Sequence, residues 1–141
     1  MVKSGFTLVE LVLSVGIFMV IIAGVTSFNS NWYLKNNLDS TKNVLISSIR
    51  KSQNYAISKK NNLTWGVCLT GNTIRLFGGS CAAPTIKDDY TLPSGVTVSG
   101  LTNFTFSPLR GELSTPQSIS VSSSNKSYSI IISTVGGLTI N

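Results

Sequence analysis

The most constraining feature of this chain lies at its start. Residues 6–28 are almost wholly apolar and carry a single charge, Glu10. As a helix this run is about 35 Å long, against roughly 30 Å of hydrocarbon in a bilayer, so a transmembrane helix over 6–28 is expected. An ordinary secretory signal places its small-residue cut site after the apolar stretch, which is then discarded. Here the order is reversed, with Lys3, Ser4 and Gly5 standing before the apolar run. A cut after Gly5 would remove a leader, residues 1–5, and keep the helix. Lys3 and the amino terminus put positive charge on the near side, although Lys35 and Lys42 against Asp39 reduce the contrast across the helix. An ionised carboxylate is costly in hydrocarbon, so Glu10 is expected to be neutral, snorkelled or paired.

Proline is absent until Pro84, and Leu34, Leu38, Leu45, Ile49 and Ala56 recur at spacings of four and seven. That is one buried stripe, so residues 29–60 read as an amphipathic continuation of the same helix, with Trp32 and Tyr33 near the outer interface. From residue 61 the period changes to short strand-like runs separated by Gly, Ser, Asn and Pro. Residues 64–69 and 73–77 flank Thr70, Gly71 and Asn72 as a hairpin, and further strands are expected over 90–92, 96–98, 103–107, 118–122, 127–134 and 138–140, the last turn falling at Gly136 and Gly137. A long helix packed on antiparallel sheet gives an α+β layer structure.

Lysine and arginine number 11 against five acids, a formal charge of +6. Loss of Lys3 with the leader leaves ten against five, or +5. The positives are scattered, which favours a solvated surface over a nucleic-acid tract. With no histidine and only two cysteines, Cys68 and Cys81, the common zinc sets cannot be completed, and no metal or other cofactor is expected. The pair is expected to form a disulfide if the helix places the rest of the chain outside the cytoplasm, closing a loop of about 14 residues for on the order of 3 kcal/mol. Two buried free thiols are the alternative. After the helix the acids are Asp88, Asp89 and Glu112. Adjacent aspartates in a Lys-Asp-Asp-Tyr loop read as a solvated turn, short of ligands for calcium and short of partners for acid/base work unless Glu112 comes beside them. No catalytic residue is assigned.

The segment Lys3-Ser-Gly-Phe-Thr-Leu-Val-Glu-Leu11 resembles the processing and methylation signal of type IV prepilins and type II secretion pseudopilins. The resemblance implies cleavage between Gly5 and Phe6 by prepilin peptidase, N-methylation of Phe6, and pairing of Glu10 with the amino group of a neighbouring mature chain during assembly. It implies partners in other pilin or pseudopilin subunits, met through the N-terminal helix, in the prepilin peptidase/methyltransferase, and in an inner-membrane assembly platform. It places the chain as a single-pass inner-membrane protein whose C-terminal domain lies in the periplasm or extracytoplasmic space, or in a pilus or pseudopilus. Phe104-Thr-Phe-Ser-Pro-Leu-Arg-Gly111, followed by Ile130-Ile-Ile and the Gly136 turn, resembles the C-terminal domain of H-type minor pseudopilins and FimT-like minor pilins, assigned here to residues 61–141. The expected fold is therefore α+β and pilin-like, and the expected function is that of a non-enzymatic filament subunit. DNA capture is the alternative because some FimT-like pilins take part in DNA uptake. From Leu63 onward the net charge is only +1 and no charge follows Lys126, so nucleic acid is not favoured; Arg110 is the one DNA contact to test.

Overall fold

The computed structural model describes residues 7–124 and 126–141, apart from the side chains of residues 25–31. Its first element is one helix, α1 (Leu8–Ile57). The chain divides into two compact units, Met1–Tyr33 and Leu34–Asn141.

In the second unit the helix buries Leu38, Thr41, Leu45, Ile49, Ser52 and Ala56. Their spacing of three and four is the stripe expected from the sequence, with two hydroxyls added to it. Thr41 is satisfied, its Oγ1 donating to the Asn37 carbonyl at 2.8 Å. Beyond Ile57 the chain turns at Lys59 and Asn61, both with positive φ, through a short 3₁₀ turn, Lys60–Asn62.

The strands are β1 (Trp65–Thr70), β2 (Thr73–Gly79), β3 (Pro84–Thr91), β4 (Val96–Ser99), β5 (Phe104–Phe106), β6 (Gln117–Ser123), β7 (Lys126–Ile132) and β8 (Leu138–Ile140). Among the described residues they form two four-stranded antiparallel sheets, in the orders β3-β2-β1-β5 and β4-β6-β7-β8. The chain fills the first sheet, visits the second with β4, returns for β5 and completes the second.

Period-two alternation sends Val67, Ile74 and Leu76 from one sheet, and Val98, Ile119, Val121, Ile130 and Ile132 from the other, into a shared core with the helix stripe. Trp65 packs edge-on to Tyr55 at 4.7 Å between centroids, and Phe104 edge-on to Phe106 at 5.6 Å. Tyr128 joins β7 to the helix, its hydroxyl donating to Asp39 Oδ1 at 2.8 Å, which holds that carboxyl below its ordinary value. This is the pilin-like α+β arrangement of a helix on sheet.

Two expectations are corrected. The transmembrane helix over 6–28 is not supported, and the single-pass inner-membrane placement falls with it, for among the described residues no helix is long and apolar enough to cross a membrane. The described helix carries Glu10 in its first turn, a carboxylate that hydrocarbon disfavours. The second correction concerns Lys87, Asp88 and Asp89, which lie in the strand β3 and not in a loop.

Candidate functional site

Gly5 and Phe6, where processing and methylation are expected, lie outside the described residues. Glu10 is described and exposed in the first turn of α1. Its carboxylate bends back on Thr7, Oε2 accepting from the Thr7 hydroxyl at 3.2 Å and from the Thr7 N–H at 3.5 Å. The Glu10 N–H in turn donates to Thr7 Oγ1 at 3.4 Å. This reciprocal pair is a capping box, which satisfies amide donors that the helix itself leaves unpaired, and a carboxylate there also suits the positive end of the helix dipole. The Thr-x-x-Glu spacing was readable in the sequence as a capping signal. Around it, the large apolar residues from Leu8 to Ile22 are between 50% and 81% exposed, pointing in every direction from the helix.

At the other end of α1, two turns distant in sequence meet. One follows β5, closed by the Ser107 N–H donating to the Glu112 carbonyl at 2.8 Å and the Gly111 N–H to the Ser107 carbonyl at 2.9 Å. The other joins β7 to β8, with the Gly136 N–H donating to the Ser133 carbonyl at 2.9 Å. Gln53 holds both, its Nε2 donating to the Gly111 carbonyl at 3.0 Å and the Gly136 carbonyl at 3.3 Å. Gly111 and Gly136 have φ of +66° and +80°, and a Cβ on Gly136 would lie 2.0 Å from Gln53 Nε2 and 2.7 Å from the Gly111 carbonyl oxygen. These are the two glycines that carried the resemblance, and both are structural. No local sequence signal marks Gln53, because its role arises from contacts across 58 and 83 residues. Arg110, the candidate DNA contact, is exposed beside Gly111 and faces Glu112, Nη1 to Oε2 3.6 Å.

On the outer face of the first sheet, Cys68 and Cys81 form the disulfide, with Cα atoms 6.4 Å apart. Arg75, opposite Cys68 in register, ties the disulfide loop to β3. Its Nη1 donates to the Cys81 carbonyl at 3.2 Å, while Nε and Nη2 grip Asp89 at 2.7 and 3.0 Å. Lys87 Nζ reaches the same carboxylate at 3.2 Å, and the arginine, foremost, lowers the Asp89 pKa to about 2. Asp88 projects to the opposite face of the strand and pairs with Lys51 of the helix at 2.7 Å. The two aspartates therefore serve different cations and share no site, and Glu112 is beside neither. Among the described residues no three metal-ligating side chains cluster.

A helix capped at Glu10, laid on antiparallel sheet and pinned through Gln53 to two glycine turns, defines a pilin-like subunit. Residues 42–136, about two-thirds of the chain, match the family model described as Type II transport protein GspH, and the chain belongs to that family. Comparison with the curated proteins found no match, and comparison with the solved structures found none. Members of the family are structural pseudopilins without catalytic activity, so this chain is not an enzyme; it partners other subunits of a type II secretion-like machine in protein transport.

Proposed function

We propose that the chain is a minor filament subunit whose N-terminal helix joins the corresponding helices of other pseudopilins. The observation that carries this reading is the helix surface from Leu8 to Ile22, apolar on all sides and exposed on all sides. Contiguous apolar surface of that extent marks an interaction site, and a helix apolar all round is built to be surrounded. Glu10 is the one acid in that surface, and its carboxylate is held at the start of the helix, where an amino group of a neighbouring chain would meet it. The same reading has prepilin peptidase cut between Gly5 and Phe6 and Phe6 become N-methylated, since that cut creates the partner amino group. Arg110 is offset by Glu112, and no basic face favours the DNA reading.

Glu10→Leu is expected to leave the chain cut and folded while abolishing its incorporation into filaments; normal incorporation would sink the pairing. Gly5 replaced by a bulky residue is expected to accumulate uncut precursor, because a small side chain lets the backbone enter a protease cleft. Mass spectrometry finding a chain that begins at Phe6 in that variant would refute the cut-site requirement.

A further inference from the structure

The first sheet turns one face to the shared core, yet its outer face holds buried side chains as well. Cys68 is 1% exposed and Phe77 0%, and neither belongs to the core shared with the helix and the second sheet. The strand register accounts for both. Val67 and Leu76 stand opposite each other and point into the shared core, so their neighbours Cys68 and Phe77 point outward. Gly66 lies opposite Phe77, and a Cβ there would come within 2.6 Å of Phe77 Cζ, so the glycine leaves the ring room to lie on β1. The outer face thus carries a small buried cluster of its own.

The disulfide runs from this cluster toward solvent. Cys68 is its buried end. Cys81 is its half-buried end, carried on a loop in which Ser80, Ala82 and Ala83 are exposed. That loop leaves β2 where the β2–β3 register shifts, between Gly78 and Gly79, and closes on itself with the Ala83 N–H donating to Ser80 Oγ at 3.2 Å. Thr70 Oγ1 stands 3.9 Å from Cys68 Sγ and 3.7 Å from Cys81 Sγ. A thiolate attacks a disulfide sulfur in line with the S–S bond, on the side away from the departing sulfur, so access to that side decides which sulfur reacts. For Cys81 that side faces away from Cys68 and its buried cluster. For Cys68 it is closed, because the residue is buried.

We propose that Cys81 is a thiol-exchange site: in the folded chain an external thiol opens the disulfide through the Cys81 sulfur alone, and a dithiol reductant is the class of reagent that completes the reaction. The reductant's thiolate bonds to Cys81 Sγ as the Cys68–Cys81 bond breaks, and the electron pair of that bond departs on Cys68 as a thiolate beside the Thr70 hydroxyl. The Cys68 thiolate then takes a proton from water. The reductant's second thiol, deprotonated, attacks the reductant's own sulfur in the mixed disulfide and displaces Cys81 as a thiolate, which is protonated in turn. Two electrons have passed to the protein, and the reductant leaves as a disulfide. In the reverse direction Cys81 bonds first to the oxidised partner, and Cys68 is the thiol that resolves the mixed disulfide. Opening is local. Arg75 still holds the Cys81 carbonyl at 3.2 Å and Asp89 at 2.7 and 3.0 Å, so the loop and the edge strand keep their place when the covalent tie is gone.

The test incubates the folded, oxidised full chain with reduced glutathione, a monothiol that forms the mixed disulfide and has no second thiol to resolve it. Samples are quenched in acid at early times, and the glutathione adduct is mapped by peptide mass spectrometry. The expected result is an adduct on Cys81 in roughly tenfold excess over Cys68, and loss of that preference in the chain unfolded in guanidinium chloride. Dithiothreitol under the same native conditions is expected to reduce the bond fully while the amides of β1 and β2 keep their hydrogen-exchange protection. Comparable adducts on the two sulfurs, a preference for Cys68, or a preference that persists after unfolding would overturn the assignment of Cys81. A bond that resists both thiols until the chain unfolds would overturn it too. Loss of protection in β1 and β2 on reduction would overturn the local opening.

Discussion

Gly136 shows how little room a single position can leave. Alanine there must keep a φ that L residues avoid and drive a methyl group into Gln53 and the Gly111 carbonyl. Gly136→Ala is expected to destabilise by about 2–4 kcal/mol, read as a drop in the denaturation midpoint, since neither backbone can give way. Asp89 carries the pH prediction. Its folded pKa, about 2, lies below the ordinary 3.8, so its contribution is complete above about pH 4 and is lost as pH falls toward 2. Tm measured across that window is expected to fall in the native chain, and to fall less in Asp89→Asn, whose side chain does not titrate. The sequence named both aspartates and both cysteines but not the arginine between them. Arg75 organises that face only because β1 and β3 flank β2, a pairing that no local pattern reveals.

Along the elements, what was legible followed periodic burial. The helix stripe, the first hairpin and the closing β7–β8 hairpin all follow spacings that burial imposes, and the helix ended near its expected point, at Ile57. The strand β3 was read as residues 90–92 alone. It is the edge of its sheet, with nearly every side chain exposed, so it has no buried face to write an alternation into the sequence. Its order comes from alternating partners, Lys51 on one side and Arg75 on the other. Within α1, Ser52 is fully buried and its Oγ has no partner among the described residues. Ser52→Ala removes an unsatisfied hydroxyl at almost no loss of volume, so it is expected to stabilise by about 1 kcal/mol, measured by the shift in denaturant midpoint. An unchanged or lower midpoint would mean that the hydroxyl is satisfied in solution.

At the scale of the whole molecule, the family was legible from motifs at both ends of the chain, and the family match covers residues 42–136. The membrane span was inferred from hydropathy over 6–28 and is the inference that failed. The side chains exposed from Leu8 to Ile22 instead carry the filament reading proposed above. The Gln53 amide has a kinetic meaning as well. Because one donor fastens two turns to one helix, neither turn can open without loosening the tether of the other, and the two behave as a single cooperative unit in local unfolding. In amide hydrogen exchange the Gly111 and Gly136 N–H groups are then expected to share one protection factor in the native chain. In Gln53→Ala both are expected to fall together, while amides of the central strand β6 keep theirs.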